Sequence, residues 1–444
     1  MRRKYLFLIS LTLTLLFIGA VLEPTQVVAS NFSATKHSGN MEVTCYTSPD
    51  SSYDVTIDAL ESADEEIDIC IYSISNTFLL NALSDKMNEN PSIIINVIVS
   101  YRHASGFETS NTRGALYYLS QAADDAGATN VNLFESSNTY DFTHAKYIII
   151  DQEVVLVQSA NWAKTGIPKD PSYGNREWGV MIKNNDVVNY FLQVFNNDMG
   201  IATPYIEDAA HEKSFSENVS SGSYSQSFSS KKYTGSMTIQ TIVSPDNDVS
   251  AIKALLQSAT NTIYVQQAYI KTDWNGSPDE FLDELEAAVD RGVTVKVIID
   301  KQPSGAADSA DDMKSKGIEI AYSSSVFEYC HNKGVIVDNS IVLISSINWS
   351  YEAANENREA GVIIFDTSVA GFFVDVFAYD WQNAEIISGE SSIDTSPGEG
   401  GSTGDGGDGG IGFCFGTLLL GFIPLVALVT MIMRKKRQKQ EDYL

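Results

Sequence analysis

Apolar positions along this chain fall into two periods. Ile93–Val99 and Val293–Ile299 are near-continuous β-branched runs, the pattern of strands buried on both faces. Ile67–Ile71 and Ile263–Val265 are shorter runs of the same kind. Between such runs the period lengthens to that of a helix. The clearest case opens at Ser277-Pro278-Asp279-Glu280, which predicts Ser277 as N-cap, Pro278 at the first helical position and Glu280 closing a capping box. Phe281, Leu282, Leu285, Ala288 and Val289 then share one face, and Gly292 ends the helix. Alternating strands and helices predict an α/β fold with a mixed, largely parallel sheet.

The pattern occurs twice. Ser48-Pro49-Asp50 and Ser62-Ala63 recur as Ser244-Pro245-Asp246 and Ser258-Ala259, both at an offset of 196. His144-Ala-Lys146 and Asn161-Trp162 recur as His331-Asn-Lys333 and Asn348-Trp349, offset 187. Asn175-Arg176-Glu177 and Val194-Phe195-x-x-Asp198 recur as Asn357-Arg358-Glu359 and Val376-Phe377-x-x-Asp380, offset 182. The order is kept, and the drift needs only loop insertions such as Thr165–Gly174. The body of the chain is therefore one unit used twice. Ser214–Ser236, with ten serines in 23 residues, reads as a polar linker between the halves.

Both ends carry longer apolar runs. Arg2-Arg3-Lys4 precede the run Tyr5–Leu22, and Val27-Val28-Ala29 offers small residues for cleavage after Ala29, a secretory leader. An uncleaved N-terminal anchor is the alternative. Near the other end, the Gly-rich stretch Ser396–Gly410 leads into Ile411–Met433, 23 residues without a charge, and then Arg434-Lys435-Lys436-Arg437. That run is long enough to span a bilayer, and the basic cluster places the C-terminus in the cytoplasm. A tail removed by a sorting transpeptidase has a similar layout. The expected organisation is a signal peptide at 1–29, a first half at 30–202, a linker at 203–236 and a second half at 237–388. A flexible spacer at 389–410, a transmembrane helix at 411–433 and a basic cytoplasmic tail at 434–444 follow. This predicts a single-pass cell-membrane protein with its body outside the cell, a monomer containing an internal pseudo-dimer.

Among 444 residues, 29 Lys and Arg face 57 Asp and Glu, a net charge of −28. The leader carries +2 and the tail +3, so the exported body carries −33. Such a field argues against a generic nucleic-acid coat, although it leaves room for a local basic centre. Cys45, Cys70 and Cys330 lie in apolar runs, where a buried free thiol is the default. A Cys45–Cys70 bridge is the alternative that an oxidising exterior permits.

The chemistry sits in the repeat. Thr143-His144-Ala-Lys146-Tyr-Ile-Ile-Ile-Asp151 and Cys330-His331-Asn-Lys333-Gly-Val-Ile-Val-Asp338 share the form His-x-Lys-x4-Asp. Residues i and i+2 of a strand share a face, so His and Lys point together. An ammonium beside a neutral imidazole suits an anionic group that the His attacks or whose leaving group it protonates. Ser159, Asn161, Ser346 and Asn348 follow as donors to phosphoryl oxygens. Glu177 and Glu359 can fix an imidazole tautomer. Taken singly, each element is commonplace: His-x-Lys arises by chance, an Asp after four apolar residues is usually a turn, and Asn-Trp is often a packed strand end. Two of only five histidines heading matched blocks is not. His37, His103 and His211 lack this context and read as surface residues. Tyr101, Arg102 and Trp274 follow strands near the expected cleft mouth, where they contact substrate or are simply exposed. Asn31, Asn218 and Asn275 head glycosylation sequons; Asn348 heads another but lies in the catalytic block.

These blocks, His144-x-Lys146-x4-Asp151-x6-Gln158-Ser159-x-Asn161 and His331-x-Lys333-x4-Asp338-x6-Ser345-Ser346-x-Asn348, resemble the HKD motifs of the phospholipase D superfamily. The resemblance covers about residues 41–387. The family usually has Gly before the Ser, where Gln158 and Ser345 stand here. It implies two α/β halves packed about a pseudo-twofold axis with one active site between them. It also implies His144 as nucleophile through a phosphohistidine and His331 as general acid and base. Lys146, Lys333, Asn161 and Asn348 would bind phosphate, Ser159 and Ser346 would support them, and Glu177 and Glu359 would orient the histidines. Asp151 and Asp338 read as architectural. The two lysines supply the charge stabilisation, so neither metal nor cofactor is implied.

Substrate classes within the resemblance are phospholipids, cleaved or transphosphatidylated, nucleic acids, and other phosphodiesters. Membrane tethering and acidity favour lipid. Ser-x-Asn-Trp followed by Asn-Arg-Glu looks more like nuclease-type and mitochondrial members than like cardiolipin synthases, which keeps an exported nuclease and a cardiolipin synthase-like transferase as alternatives. An idle binding ectodomain is the remaining class, disfavoured because both halves keep His and Lys.

Overall fold

A computed structural model describes residues 32–274 and 276–387. The expected leader, spacer, membrane helix and basic tail lie outside these residues, as do Asn31 and Asn275. No helix among the described residues is long and apolar enough to cross a membrane.

The first half runs β1 (Thr35–Ser48), α1 (Ser52–Glu61), β2 (Glu66–Ile71), α2 (Thr77–Glu89), β3 (Ile94–Val99), α3 (Gly106–Ala126) and β4 (Val131–Glu135). It continues with β5 (Lys146–Ile150), β6 (Val154–Gln158), β7 (Glu177–Lys183), α4 (Asn185–Ile201) and β8 (Thr203–Pro204). The second half repeats this as β9 (Lys231–Ser244), α5 (Asp248–Gln257), β10 (Thr262–Gln267), an added hairpin of β11 (Asp273–Trp274) and β12 (Ser277–Pro278), and α6 (Glu280–Asp290). Then come β13 (Thr294–Ile299), α7 (Ala306–Ser315), β14 (Glu319–Tyr322), β15 (Lys333–Val337) and β16 (Ile341–Ser345). The half closes with α8 (Tyr351–Asn355), β17 (Glu359–Phe365), α9 (Thr367–Gln382) and β18 (Glu385–Ile386).

One sheet of 16 strands runs through both halves, in the order β18-β14-β13-β10-β15-β16-β17-β9-β1-β7-β6-β5-β2-β3-β4-β8. At its centre β1 and β9 pair antiparallel, with Asn40 opposite Ser236. These two residues are equivalent at the repeat offset of 196, so the pseudo-twofold axis passes between them.

The sheet is mixed, but the expectation of a largely parallel one is overturned. Only β2–β3–β4 and β10–β13–β14 pair in parallel; the other pairings in the sheet are antiparallel. The reason lies in the His-x-Lys-x4-Asp blocks, each of which is the first strand of a hairpin. Asp151 and Gln152, and Asp338 and Asn339, take positive φ at the tight turn. Asp151 accepts the backbone N–H groups of Asp64, Glu65 and Glu66 at 2.7–2.9 Å, and Asp338 those of Thr260, Asn261 and Thr262 at 2.7–2.9 Å. Both aspartates are thus turn and anchor residues.

Strand alternation divides the core. Ile148 and Ile150 pack with α1, α2 and α3, whereas Tyr147 and Ile149 pack with α4 on the other face. The α4 face is continuous with that of α9, so a single core of side chains such as Phe191, Phe195, Phe373 and Phe377 joins the halves. Burying each such side chain contributes roughly 1.5–3 kcal/mol. The second half's other face packs against α5, α6 and α7.

Two local expectations are corrected, at the α6 N-cap and at Trp274, and the expectation of buried free thiols is met. The α6 N-cap is Asp279, whose carboxylate accepts from Phe281 and Leu282 N–H, while Ser277 and Pro278 belong to the added hairpin. Cys45, Cys70 and Cys330 are all buried free thiols, with no Cys45–Cys70 bridge. The serine-rich linker docks on the first half. Asp50 accepts from the Tyr224 hydroxyl and from Ser227 and Phe228 N–H, and β9 begins inside the segment at Lys231. Trp274 is buried against Phe281, so it is a core residue and not a cleft contact.

Candidate active site

Each His block ends against the opposite half. His144 and Ala145 donate their backbone N–H to the Arg358 carbonyl at 2.8 and 2.9 Å, and Arg358 N–H returns to Phe142. Likewise His331 N–H reaches the Arg176 carbonyl at 3.1 Å, and Arg176 N–H reaches Tyr329. These crossed bridges bring each histidine to the carboxylate that follows the other half's arginine. His144 Nδ1 lies 2.9 Å from both carboxylate oxygens of Glu359, and His331 Nδ1 lies 2.8 Å from Glu177 Oε1. With Nδ1 donating to a carboxylate, Nε2 is the basic nitrogen.

The serines support this pairing, contrary to the expectation that they donate to phosphate. Ser159 Oγ donates to Glu177 at 2.6 Å and Ser346 Oγ to Glu359 at 2.5 Å. Asn175 and Asn357 amides add bonds of 3.3 and 3.2 Å to the same carboxylates. Each half therefore builds a Ser–Glu unit that serves the other half's His.

Lys146 and Lys333 are fully buried, and each Nζ donates to its own block's His carbonyl at 2.5 Å. Burial pulls the Lys146 ammonium down to about 7 and that of Lys333 to about 8, although Glu177 and Glu359 oppose this. The imidazoles are also lowered. His144 falls well below its ordinary value through burial and then through Lys146, Lys333 and His331; His331 falls through burial, with Glu177 opposing. Glu359 is raised to about 7 by burial despite Lys146, whereas His331 and Lys333 overcome burial at Glu177 and lower it. The two lysines, two histidines and two glutamates form one electrostatic cluster.

The halves differ around this cluster. The Tyr72 ring packs on His144 with centroids 4.8 Å apart, and at the equivalent position the second half has Ala268. His144 is 6% exposed and His331 12%; only His331 lines the cleft above the site. That cleft, about 580 Å³, is walled by Glu108, Asn161, Thr165 and Asn175 of the first half and by Gln302, Glu328 and Tyr329 of the second. Asn161 and Asn348 each leave Oδ1 without a partner. The Thr165–Gly174 insertion enters the cleft wall; in its place the second half forms α8. His103, expected on the surface, is half-buried, and its Nε2 lies 2.7 Å from the Tyr72 carbonyl. Arg102 is exposed and ion-paired with Asp141, and its guanidinium stacks near Tyr101.

Two arginines were missed in the sequence. Arg176 is completely buried and bonds Asp50 of its own half and Asp380 of the other. Arg358 bonds Asp246 and, across the axis, Asp198. Burial works against each guanidinium, and the carboxylates more than offset it, raising both pKa values. The signal was present: Arg and both Asp recur in step in each half, in the Ser-Pro-Asp, Asn-Arg-Glu and Val-Phe-x-x-Asp blocks. The Gln158 and Ser345 departures are absorbed by glycines on the neighbouring strand. Gly179 lies opposite Gln158, whose Oε1 accepts from Tyr46, and a Cβ at Gly361 would lie 2.7 Å from that of Ser345.

Comparison with known proteins gives this arrangement a family. A family model described as cardiolipin synthase, PLD-like domain matches residues 56–199 and again 252–381, one match per half. The mitochondrial cardiolipin hydrolase of Xenopus tropicalis is 33% identical over 99 residues, 22% of this chain and 47% of that protein. A cardiolipin synthase of Halalkalibacterium halodurans is 24% identical over 256 residues, 55% of this chain and 47% of that one. The chain thus spans about half the length of the curated relatives it matches. Among solved structures, the phosphatidylserine synthase of Haemophilus influenzae superposes with a TM-score of 0.61 at 15% identity, covering 90% of this chain and 95% of that one, a likeness of fold. With a PLD-like domain in each half and two HKD-type repeats, the chain belongs to the phospholipase D superfamily.

Proposed function

We propose that this protein is a phosphodiesterase that cleaves phospholipids through a phosphohistidine intermediate. The observation that carries the reading is the crossed pair His144–Glu359 and His331–Glu177 around two buried lysines. Lys146 and Lys333 hold the phosphate charge, and the Asn161 and Asn348 amide N–H groups donate to its oxygens. His144, the more shielded and more strongly held neutral, attacks phosphorus through Nε2. His331, open to the cleft, protonates the leaving alcohol and then takes a proton from the incoming water or alcohol. Glu177 and Glu359 hold the tautomers, and Ser159 and Ser346 hold the glutamates. Asp151 and Asp338 support only the hairpins.

The phospholipid reading is supported by the names of the relatives, which act on or make cardiolipin, and by a cleft wall without Lys or Arg among its lining residues. A polynucleotide needs such bases for its flanking phosphates. We place the body outside the cell, held to the membrane by the 411–433 segment. The test is to assay the full chain in detergent micelles side by side on phosphatidylcholine, phosphatidylglycerol, single-stranded DNA and RNA. Headgroup release from lipid with intact nucleic acid is expected; cleavage of nucleic acid alone overturns the reading. Added ethanol separates hydrolysis from transfer by the appearance of phosphatidylethanol.

A further inference from the structure

The two buried arginines have matching partners, and one of the matches is made from outside the repeat. Arg358 Nη1 bonds Asp246 and the Ser244 carbonyl, and Arg176 Nη1 bonds Asp50 and the Ser48 carbonyl. Arg358 Nη2 bonds Asp198, and Arg176 Nη2 bonds Asp380. An aromatic ring covers each guanidinium, Tyr140 at 4.3 Å from Arg358 and Phe327 at 4.2 Å from Arg176. These rings are equivalent, since each stands four residues before the His of its block. Arg358 Nη2 also donates to the Tyr140 hydroxyl. Phe327 has no hydroxyl to accept the same bond from Arg176. The acceptor comes from the linker instead. Arg176 Nη2 donates to Tyr224 Oη at 3.1 Å, and that hydroxyl donates to Asp50 at 2.9 Å.

Tyr224 is held in this place by its surroundings. It is buried, while the linker residues on either side of it are exposed. Its N–H donates to the Ser172 carbonyl at 3.1 Å, and Gly222 N–H donates to Ser172 Oγ at 3.1 Å, both within the Thr165–Gly174 insertion. Its ring packs on Phe327 with centroids 5.0 Å apart. What its hydroxyl secures lies one step from the chemistry. The Arg176 carbonyl accepts His331 N–H, and Glu177, the next residue, holds His331 Nδ1.

We propose that Tyr224 is a positioning residue for His331, supplying to Arg176 the hydroxyl that Phe327 lacks. The inference rests on the phosphodiesterase reading and on its division of work between the two histidines. The nucleophile's side is complete within the repeat, because Tyr140 serves Arg358 and with it the bridge to His144. The general acid's side is completed by the linker. Without the Tyr224 hydroxyl, a buried guanidinium loses an acceptor and a buried carboxylate loses a donor, so both move toward the partners that remain. The Arg176–Glu177 backbone moves with them, and His331 meets the oxygen of the leaving group less well.

The test compares kcat/KM of the full chain in detergent micelles on two kinds of diester. The better of phosphatidylcholine and phosphatidylglycerol releases an alcohol, which needs the proton of His331. Bis(p-nitrophenyl) phosphate releases p-nitrophenolate, which leaves without one. Tyr224→Phe keeps the ring and should lower kcat/KM on the lipid about fivefold more than on bis(p-nitrophenyl) phosphate. Tyr140→Phe, the mirror change on the nucleophile's side, should lower both alike. Tyr224→Ala should show the lipid-selective loss at least as strongly as Tyr224→Phe. Adding Phe327→Tyr to Tyr224→Ala should bring the ratio of the two activities back to within about twofold of wild type. An unchanged ratio in Tyr224→Phe, whether both activities hold or both fall together, overturns the inference and leaves the phosphodiesterase reading intact. Failure of Phe327→Tyr to restore the ratio overturns the role as a stand-in for the missing hydroxyl. Cleavage of bis(p-nitrophenyl) phosphate with neither lipid overturns the phospholipid reading, and single-stranded DNA then serves as the diester with an alkoxide leaving group. A wild type inactive on every diester overturns the phosphodiesterase reading and the inference with it.

Discussion

Glu359 holds His144 Nδ1 at 2.9 Å although 215 residues separate them, and the Ser346 hydroxyl holds Glu359 in turn. The nucleophile proposed in the first half is therefore oriented by the second. Replacing His144 with Ala should reduce cleavage of bis(p-nitrophenyl) phosphate by at least about 10³-fold, with His331→Ala comparably poor on lipids whose leaving group needs a proton. Steady-state rates on both substrates check this. Full activity in His144→Ala removes the phosphohistidine route.

The pH profile follows from the lowered imidazoles. Both lie below the ordinary 6.5, His144 the further. The proposed scheme requires neutral His144 and protonated His331 for cleavage. The protonated fraction of His331 grows as pH falls, while His144 stays neutral until a lower pH. The optimum of kcat/KM should thus be acidic, with activity declining as rising pH takes the proton from His331 and, near 7, from Lys146. Glu177 raises the His331 pKa, so Glu177→Gln should move the alkaline limb to lower pH. A pH–rate series from 4.5 to about 9 reads both effects; an alkaline optimum contradicts them.

Arg176 ties Asp50 and Asp380 together from opposite halves. Arg176→Ala leaves two buried carboxylates without a counter-charge and should destabilise the chain by about 3–5 kcal/mol. Urea unfolding followed by fluorescence measures it. Asp50→Asn, which keeps the side chain's shape, should cost less.

In the proposed scheme, charge stabilisation by Lys146 and Lys333 does the work that a divalent ion does elsewhere. Activity should survive prolonged dialysis against EDTA within about twofold, whereas Lys146→Met should lose about 10²-fold or more. Complete loss on chelation, restored by added cation, would contradict the scheme.

Much of this was legible in order along the chain, and the remainder was geometric. Repetition of His-x-Lys-x4-Asp reveals two halves, and the apolar runs place their strands. Repetition cannot say which carboxylate meets which histidine, because Glu177 and Glu359 follow their blocks alike. Nor does it show that Asp50, Arg176 and Asp380 converge, since their spacings in sequence exceed a hundred residues. The parallel expectation failed because an apolar run looks the same in either direction, and the tight turn at Asp151-Gln152 carries no glycine to announce it. Serine content alone marks Ser214–Ser236 as polar but not as docked; Tyr224, buried on Asp50, is the residue that docks it.

The seam between β1 and β9 carries a mechanical consequence. Eleven residue pairs, from Thr35–Thr241 to Cys45–Lys231, continue the sheet across the axis. Such a seam is a weld and not a hinge: parting the halves would break its hydrogen bonds together with the core shared by α4 and α9. The bilobal clamp that closes many enzymes over their substrates is unavailable to this one. The paired histidines, glutamates and lysines stand assembled before any substrate arrives, and among the described residues it is the loops around the mouth that are left to adapt to the incoming molecule.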